Sequence, residues 1–316
     1  MHQEISLSEK LKGEFGFVYR LIISSTGYFL ISYLLIENWY DAILVRGNMK
    51  TKFQLKLRKR DISKTVTGRI VCLFARNIKD CRISGNEIIV DYRNKKALFY
   101  FPDSNQLINT ITGIKEQMIE EQYKPLDFKG REVLDIGASI CDSAIYFALN
   151  GARHVVALEP YPYTYAVAKR NSKINGLDKK IEVLNMACKG KSGSVVIDPD
   201  FQNNDRNVIN QFKKGKRIPI STLGQLAERY NMNDAVLKID CEGYEYEIIG
   251  NASNQTLRRF KSIGLEYHYG SKELEAKLKN AGFQVKGTIP FYMKKVDDKV
   301  NVLCGFIYAE RIDTKE

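Results

Sequence analysis

Seven ionisable side chains in the second half of the chain stand where chemistry would need them. Asp135 closes the apolar run EVLDIG, and Glu159 closes HVVALEP 24 residues later, so both acids sit at the carboxyl ends of strand-like segments. Asp240, Glu242 and Glu245 crowd into DCEGYE directly after the apolar AVLKI, and the apolar neighbours of Asp240 predict that it projects from a buried strand into a cleft. Glu266 and His268 alternate in GLEYHYG, which puts them on one face of a strand, converging with Asp240 if that face is the cleft. Of the three histidines, His2 is terminal and His154 opens a strand at the far end, which leaves His268 as the one placed for chemistry. An imidazole of ordinary pKa, about 6.5, suits a proton acceptor near neutral pH, and Asp240 or Glu266 would orient it. The carboxylates could instead hold a divalent cation such as Mg²⁺, a reading the sequence does not favour. The plainer alternative is structural. Asp135 and Glu159 then cap helices, Glu242 and Glu245 answer a helix dipole, and His268 is a satisfied core residue.

The elements that must position these groups follow an alternating pattern. EVLDIG, HVVALEP, IEVLNMAC, AVLKIDCEG and SIGLEYH read as strands, with helices beginning near Ser143, Tyr163, Ser221 and Tyr244. Such alternation marks an open, mostly parallel α/β sheet, and FQVKGTI and NVLCGFIYAE at the end read as an antiparallel hairpin. Ligands of such sheets sit beyond the carboxyl ends of the strands. A dinucleotide turn reads G-x-G-x-x-G, whereas here Gly137, Ser139 and Cys141 stand where D-x-G-x-G-x-G would place three glycines. Asp135 before that turn repels a pyrophosphate but suits an amino group. Glu159 at the second strand end can accept both ribose hydroxyl protons. Ribose without pyrophosphate, plus an ammonium, describes S-adenosylmethionine.

Composition sets wider bounds. The 316 residues suggest about two domains, and 44% hydrophobic with 27% charged residues is ordinary for a folded chain. Residues 1–125 read as a smaller α+β region of helix and β-hairpins, built on FQLKLRK, RIVCLFA, EIIVDYR and KALFYFP, and residues 126–316 as the α/β domain. The net charge of +12 points to an anionic partner such as nucleic acid, a membrane surface or a phosphorylated substrate, although the run KLRKRD also reads as a solvated strand edge. Leu21–Ile36 is uncharged but too short to span a bilayer, so it reads as a buried or partner-facing helix, with peripheral membrane docking as the alternative. Six cysteines without CxxC or metal-ligand spacing suggest free thiols in a reducing, cytoplasmic setting. Oligomeric state is not legible.

Taken in order, VLDIGASICDSAIYFA, ALEPYPYTY, NSKING, VLNMACKGKSG, ISTLGQL, LKIDCEGYEYEII and LEYH resemble the FkbM family of S-adenosylmethionine-dependent methyltransferases over about residues 126 to 285. The resemblance implies a class I methyltransferase fold, Rossmann-like, with a seven-stranded sheet and a reversed last strand. It also implies O-methylation of a hydroxyl. By position, Asp135, Gly137, Ala138 and Ser139 would line the methionine and ribose side, and Glu159 would hold the ribose. Tyr161 would flank the adenine, with Asn185, Met186 and Ala187 near its edge. Two positions depart from the family pattern: Cys141 stands where glycine is common, and Gly224 where an acid is common. The acceptor implied is a small molecule, sugar or lipid-linked glycan. The basic charge keeps an RNA methyltransferase as an alternative, and Cys141 keeps a non-catalytic cofactor-binding module. Substrate choice is expected from the N-terminal region and from the polar loop of residues 198–216.

Overall fold

The computed structural model describes residues 40, 52–56, 63–67, 81–102, 104–199, 212–294 and 301–312. Described residues up to Glu121 and those from Gln122 onward belong to separate compact units. The apolar run 21–36, the segment RIVCLFA, nearly all of KLRKRD and most of the 198–216 loop lie outside the described residues. No helix among the described residues is long and apolar enough to cross a membrane.

In the first unit, β1 (Lys52–Lys56) pairs antiparallel with β2 (Ser63–Thr67), and β3 (Cys81–Ser84), β4 (Glu87–Tyr92) and β5 (Lys95–Tyr100) form an antiparallel meander. Tyr92 pairs with Lys95 across the two-residue loop Arg93-Asn94, both at positive φ. That is the left-handed turn that matches strand twist, which asparagine tolerates well. Ile88, Val90, Tyr92, Ala97 and Phe99 face inward at the period of two. After the meander comes α1 (Ser104–Ile114), which continues as a π-helical turn, Lys115–Ile119.

The second unit carries the seven-stranded sheet. Its strands in chain order are β6 (Glu132–Ile136), β7 (His154–Leu158), β8 (Ile181–Leu184), β12 (Ala235–Ile239), β13 (Phe260–Tyr267), β14 (Phe283–Gly287) and β16 (Asn301–Arg311). They lie in the order β14-β16-β13-β12-β6-β7-β8, with β16 antiparallel to both neighbours and the others parallel. β16 is the reversed last strand, and β14 pairs with it as the hairpin reading requires. β15 (Phe291–Lys294) adds a short pair to β16. Every residue of β12 is buried, as expected of a central parallel strand covered on both faces. Lys238 breaks its otherwise apolar run. The covering helices include α2 (Asp142–Leu149), α3 (Pro162–Ile174), α4 (Leu223–Arg229), α5 (Glu245–Asn251), α6 (Asn254–Leu257) and α7 (Lys272–Asn280). The single strand read from IEVLNMAC is instead two. β8 ends at Leu184, and β9 (Ala187–Cys188) joins a side sheet with β10 (Gly193–Ile197) and β11 (Lys216–Ser221). The break falls at Asn185, whose side-chain amide donates to the carbonyls of Glu159 and Pro160 at 3.0 and 2.9 Å and draws the chain out of the main sheet.

Candidate active site

The turn from β6 into α2 accounts for the incomplete glycine pattern. Gly137, Ser139 and Cys141 all adopt left-handed backbone, with φ of 79°, 46° and 74°. The pattern's three glycine positions are therefore the three that need positive φ, and two of them hold side chains at roughly 1 kcal/mol or more each. Gly137 cannot be replaced, because a Cβ there would lie 1.8 Å from the backbone oxygen of Asp240. The turn is further tied by the Gly137 and Ala138 N–H groups, which both donate to the Leu158 carbonyl at 3.1 and 2.9 Å, and by Asn171, which donates to the Ile140 carbonyl at 2.9 Å. Cys141 is fully buried. Burial, then the nearby Asp135 and Asp142 carboxylates, pushes its thiol well above the usual range, with Lys238 opposing, so it packs as a small neutral hydrophobe.

Asp135 differs from the sequence reading. Its carboxylate is completely buried, accepts from Ser143 Oγ at 2.6 Å, and forms an ion pair with Lys238 Nζ at 2.9 Å. The expectation that it meets a ligand's amino group is corrected: the protein supplies its own ammonium. Lys238 also donates to the Gly137 carbonyl at 2.7 Å, so one buried lysine fixes both the strand end and the turn. Burial lowers the Lys238 pKa, but Asp135 and Asp240 outweigh it and keep the ammonium charged. Sequence reasoning missed this residue. The signal was a lysine inside AVLKI, two positions before Asp240 and hence on the same strand face.

Glu159 is buried at the end of β7 and accepts the Tyr161 N–H at 2.9 Å. Burial pushes its carboxyl up to about 8, with the backbone N–H groups of Tyr161 and Ser139 and the charge of Lys238 opposing. Tyr161 is a core side chain, packed with Val195, Ile197 and Ile218 of the side sheet. Asn185 spends its amide on the loop carbonyls and accepts from Lys216 Nζ at 2.9 Å. Met186 and Ala187 are buried, Met186 within the main core and Ala187 on β9.

At the ends of β12 and β13 the predicted acids meet the histidine. His268 is 1% exposed, and its Nδ1 lies 2.8 Å from Glu245 Oε1, which also accepts the His268 backbone N–H at 3.1 Å. Glu245 Oε2 accepts the Gly243 N–H at 2.8 Å, so this fully buried acid, read from sequence as answering a helix dipole, is the residue that orients the ring. On the other side His268 Nε2 stands 3.3 Å from Glu242 Oε2. Burial lowers the ring's pKa, but Glu245 and Glu242 raise it further, to well above the ordinary value. Two carboxylates flanking the ring favour its charged form, which runs against the reading of His268 as a base titrating near neutrality. Donor atoms of Asp240, Glu242 and His268 lie within 4.8 Å of one another, as do those of Glu266, His268 and Cys304. His268 is thus the member shared between Asp240 and Glu266. Tyr123 also belongs here. Its buried hydroxyl makes no hydrogen bond, and burial, then Asp240, Glu266 and Asp135, raises its pKa. Nothing in the local sequence EEQYKPLDF distinguishes Tyr123 from an ordinary core aromatic.

The strand order, the reversed strand, the glycine turn and the acid at the second strand end define a class I methyltransferase architecture. Residues 135–285 match the family model described as the methyltransferase FkbM domain. A Methanocaldococcus jannaschii protein, provisionally named a protein N5-glutamine methyltransferase, is 31% identical over 83 residues, which cover 23% of this chain and 42% of that protein's length. Among solved structures, an S-adenosylmethionine-dependent methyltransferase from Agrobacterium tumefaciens aligns over 84% of this chain and 77% of its own at 10% identity and a TM-score of 0.41. TrmK of M. capricolum, bound to S-adenosylhomocysteine, aligns over 62% and 70% at 12% identity and a TM-score of 0.37. Likenesses this loose add nothing on function.

Proposed function

We propose that the protein is an S-adenosylmethionine-dependent methyltransferase that methylates a hydroxyl on a small molecule, sugar or lipid-linked glycan. One observation carries the reading: Gly137 packs so tightly against the Asp240 backbone that the cofactor turn and the Asp240–Glu266–His268 cluster form adjoining walls. A donor held by the turn therefore lies beside the acids that would receive an acceptor. The residues present suit the cofactor. Glu159 is a buried carboxyl pushed up to about 8, and two hydroxyl donors would satisfy its ionised form.

When bound, the cofactor supplies an activated methyl on a sulfonium. The chain's own part is then chiefly alignment, which can contribute up to about 7 to 11 kcal/mol. Gly137, Ala138 and Ser139 line the methionine and ribose side, held in place by Lys238. Asp240, which is partly exposed, orients the acceptor hydroxyl and takes its proton, while the His268 imidazolium balances the charge of Asp240 and Glu266. Calorimetric titration with S-adenosylhomocysteine tests the cofactor site. Methyl transfer from labelled cofactor into a cell extract, fractionated into glycan, lipid, RNA and protein, tests the acceptor class. The net charge of +12 favours one second reading, an RNA acceptor, which predicts label in the RNA fraction and steeply salt-dependent RNA binding. Tight cofactor binding with no transfer to any fraction would leave the non-catalytic module.

A further inference from the structure

We propose that Asp240, Glu242 and His268 form a site for one first-row divalent cation of the Mn²⁺ type, and that the acceptor presents its hydroxyl to that ion. The second half rests on the methyl-transfer reading; the first does not.

Distance is the first argument. Two ligands on one ion, each at about 2.1 Å, stand roughly 3.0 to 3.4 Å apart at angles between 90° and 109°. His268 Nε2 and Glu242 Oε2 are 3.3 Å apart, and ligand atoms of Asp240, Glu242 and His268 lie within 4.8 Å of one another. The second argument is independent of the acids. His268 Nε2 is buried and makes no hydrogen bond, since the approach of Glu242 lacks hydrogen-bond direction. A buried ring nitrogen that meets a partly exposed carboxylate at 3.3 Å off the hydrogen-bond direction has the spacing of two ligands on one ion. The third lies behind the ring. Nδ1 is engaged by Glu245, itself fixed by the Gly243 N–H, and a carboxylate behind the imidazole is the usual support of a metal-binding histidine.

The donor set selects the ion. Two carboxylates and one imidazole suit Mn²⁺, Fe²⁺ or Zn²⁺ better than Ca²⁺ or Mg²⁺, which prefer oxygen throughout. Three protein ligands leave positions open for an acceptor oxygen, and Asp240 and Glu242 are partly exposed while the ring is buried. Glu266, His268 and Cys304 are all buried and draw on the same ring, so they offer a substrate no approach. A hydroxyl coordinated to the ion at Asp240, Glu242 and His268 would be acidified; its proton passes to the Asp240 carboxylate as the oxygen–methyl bond forms and the sulfur–methyl bond of the cofactor breaks, leaving S-adenosylhomocysteine.

The test uses the full chain, stripped with a chelator and titrated with Mn²⁺ alone, free Mn²⁺ being read by electron paramagnetic resonance. One ion per chain is expected. Glu242→Gln, at a partly exposed position, should weaken binding at least tenfold, and Glu245→Gln, which never touches the ion, should weaken it about 10- to 100-fold. Glu273→Gln on the exposed face of α7 should change nothing. Absence of binding to the folded wild type, or binding indifferent to Glu242→Gln, overturns the site. A parallel titration with S-adenosylhomocysteine keeps the two readings apart, since cofactor binding without Mn²⁺ binding would remove the ion and leave the methyltransferase.

Discussion

Glu159 offers a quantitative test of the cofactor assignment through pH. Its carboxyl is pushed up to about 8, chiefly by burial, so in the free protein it is mostly protonated at neutrality. A ribose whose two hydroxyls both donate to it requires the ionised form. Binding should therefore tighten as pH rises and level off above about 8. With a pKa near 8, about one tenth of the molecules are ionised at pH 7 and about one hundredth at pH 6, so affinity should fall roughly tenfold for each pH unit below the plateau. Folding of the free protein should respond in the opposite sense. A raised folded-state pKa gives stability that is complete below the unfolded carboxyl range and is lost as pH rises through about 8. Bound ligand should accordingly raise the melting temperature more at pH 8.5 than at pH 6.5. Calorimetric titration with adenosine, which has no group titrating in this window, isolates the effect, and two buffers of different ionisation enthalpy should register nearly one proton released per ligand at pH 6.5. Glu159→Ala should weaken binding at least tenfold, and Glu159→Gln should flatten the pH dependence. Unchanged affinity in Glu159→Ala, or an unaltered pH slope in Glu159→Gln, would refute the assignment.

Three further outcomes follow from the same geometry. Lys238→Met should destabilise the protein by about 3 to 5 kcal/mol in urea unfolding, because it strands the buried Asp135 carboxylate, and adding Asp135→Asn should recover much of the loss. Cys141→Gly trades the buried sulfur for relief of a left-handed residue, each worth about 1 kcal/mol, so the urea midpoint should barely move; a loss above about 2 kcal/mol would show that packing of the thiol dominates. His268→Ala should lower turnover about 10²-fold or more with S-adenosylhomocysteine affinity within a few-fold, and an equal loss in cofactor affinity would move the ring out of the acceptor side.

The sheet was legible because its signals are local and periodic. Apolar runs separated by helical stretches place β6, β7 and β13, the start of β12 and the starts of α2, α3, α4 and α5 to within a residue or two, whereas AVLKIDCEG runs four residues past the end of β12. The break after Leu184 was not legible, since it depends on Asn185 finding carbonyls that lie 25 and 26 positions earlier. The same distinction runs through the site. Asp240, Glu266 and His268 could be singled out by alternation and elimination, because facing is a property of the strand itself. Which group each one meets is set by long-range packing. Asp135 has the right position for a ligand's ammonium, yet Lys238, more than a hundred residues later, occupies that role.

That substitution of roles also accounts for the pattern of charge. Burying a lone carboxylate is costly, and burying several within one cleft would be prohibitive without compensation. The second unit places Asp135, Asp240, Glu245 and Glu266 near the carboxyl ends of adjacent central strands and sets two buried cations among them, Lys238 on the turn side and His268 on the acceptor side. The two cations divide the labour. Lys238 is locked between Asp135 and the Gly137 carbonyl, so its charge serves the scaffold and cannot be spent on a ligand. His268 has the fully buried Glu245 behind it and the partly exposed Glu242 in front, 3.3 Å from Nε2, so its front partner lies on the open side. On the proposed function, the side that would hold the cofactor is fixed internally, and the side that would receive an acceptor keeps the more open partner.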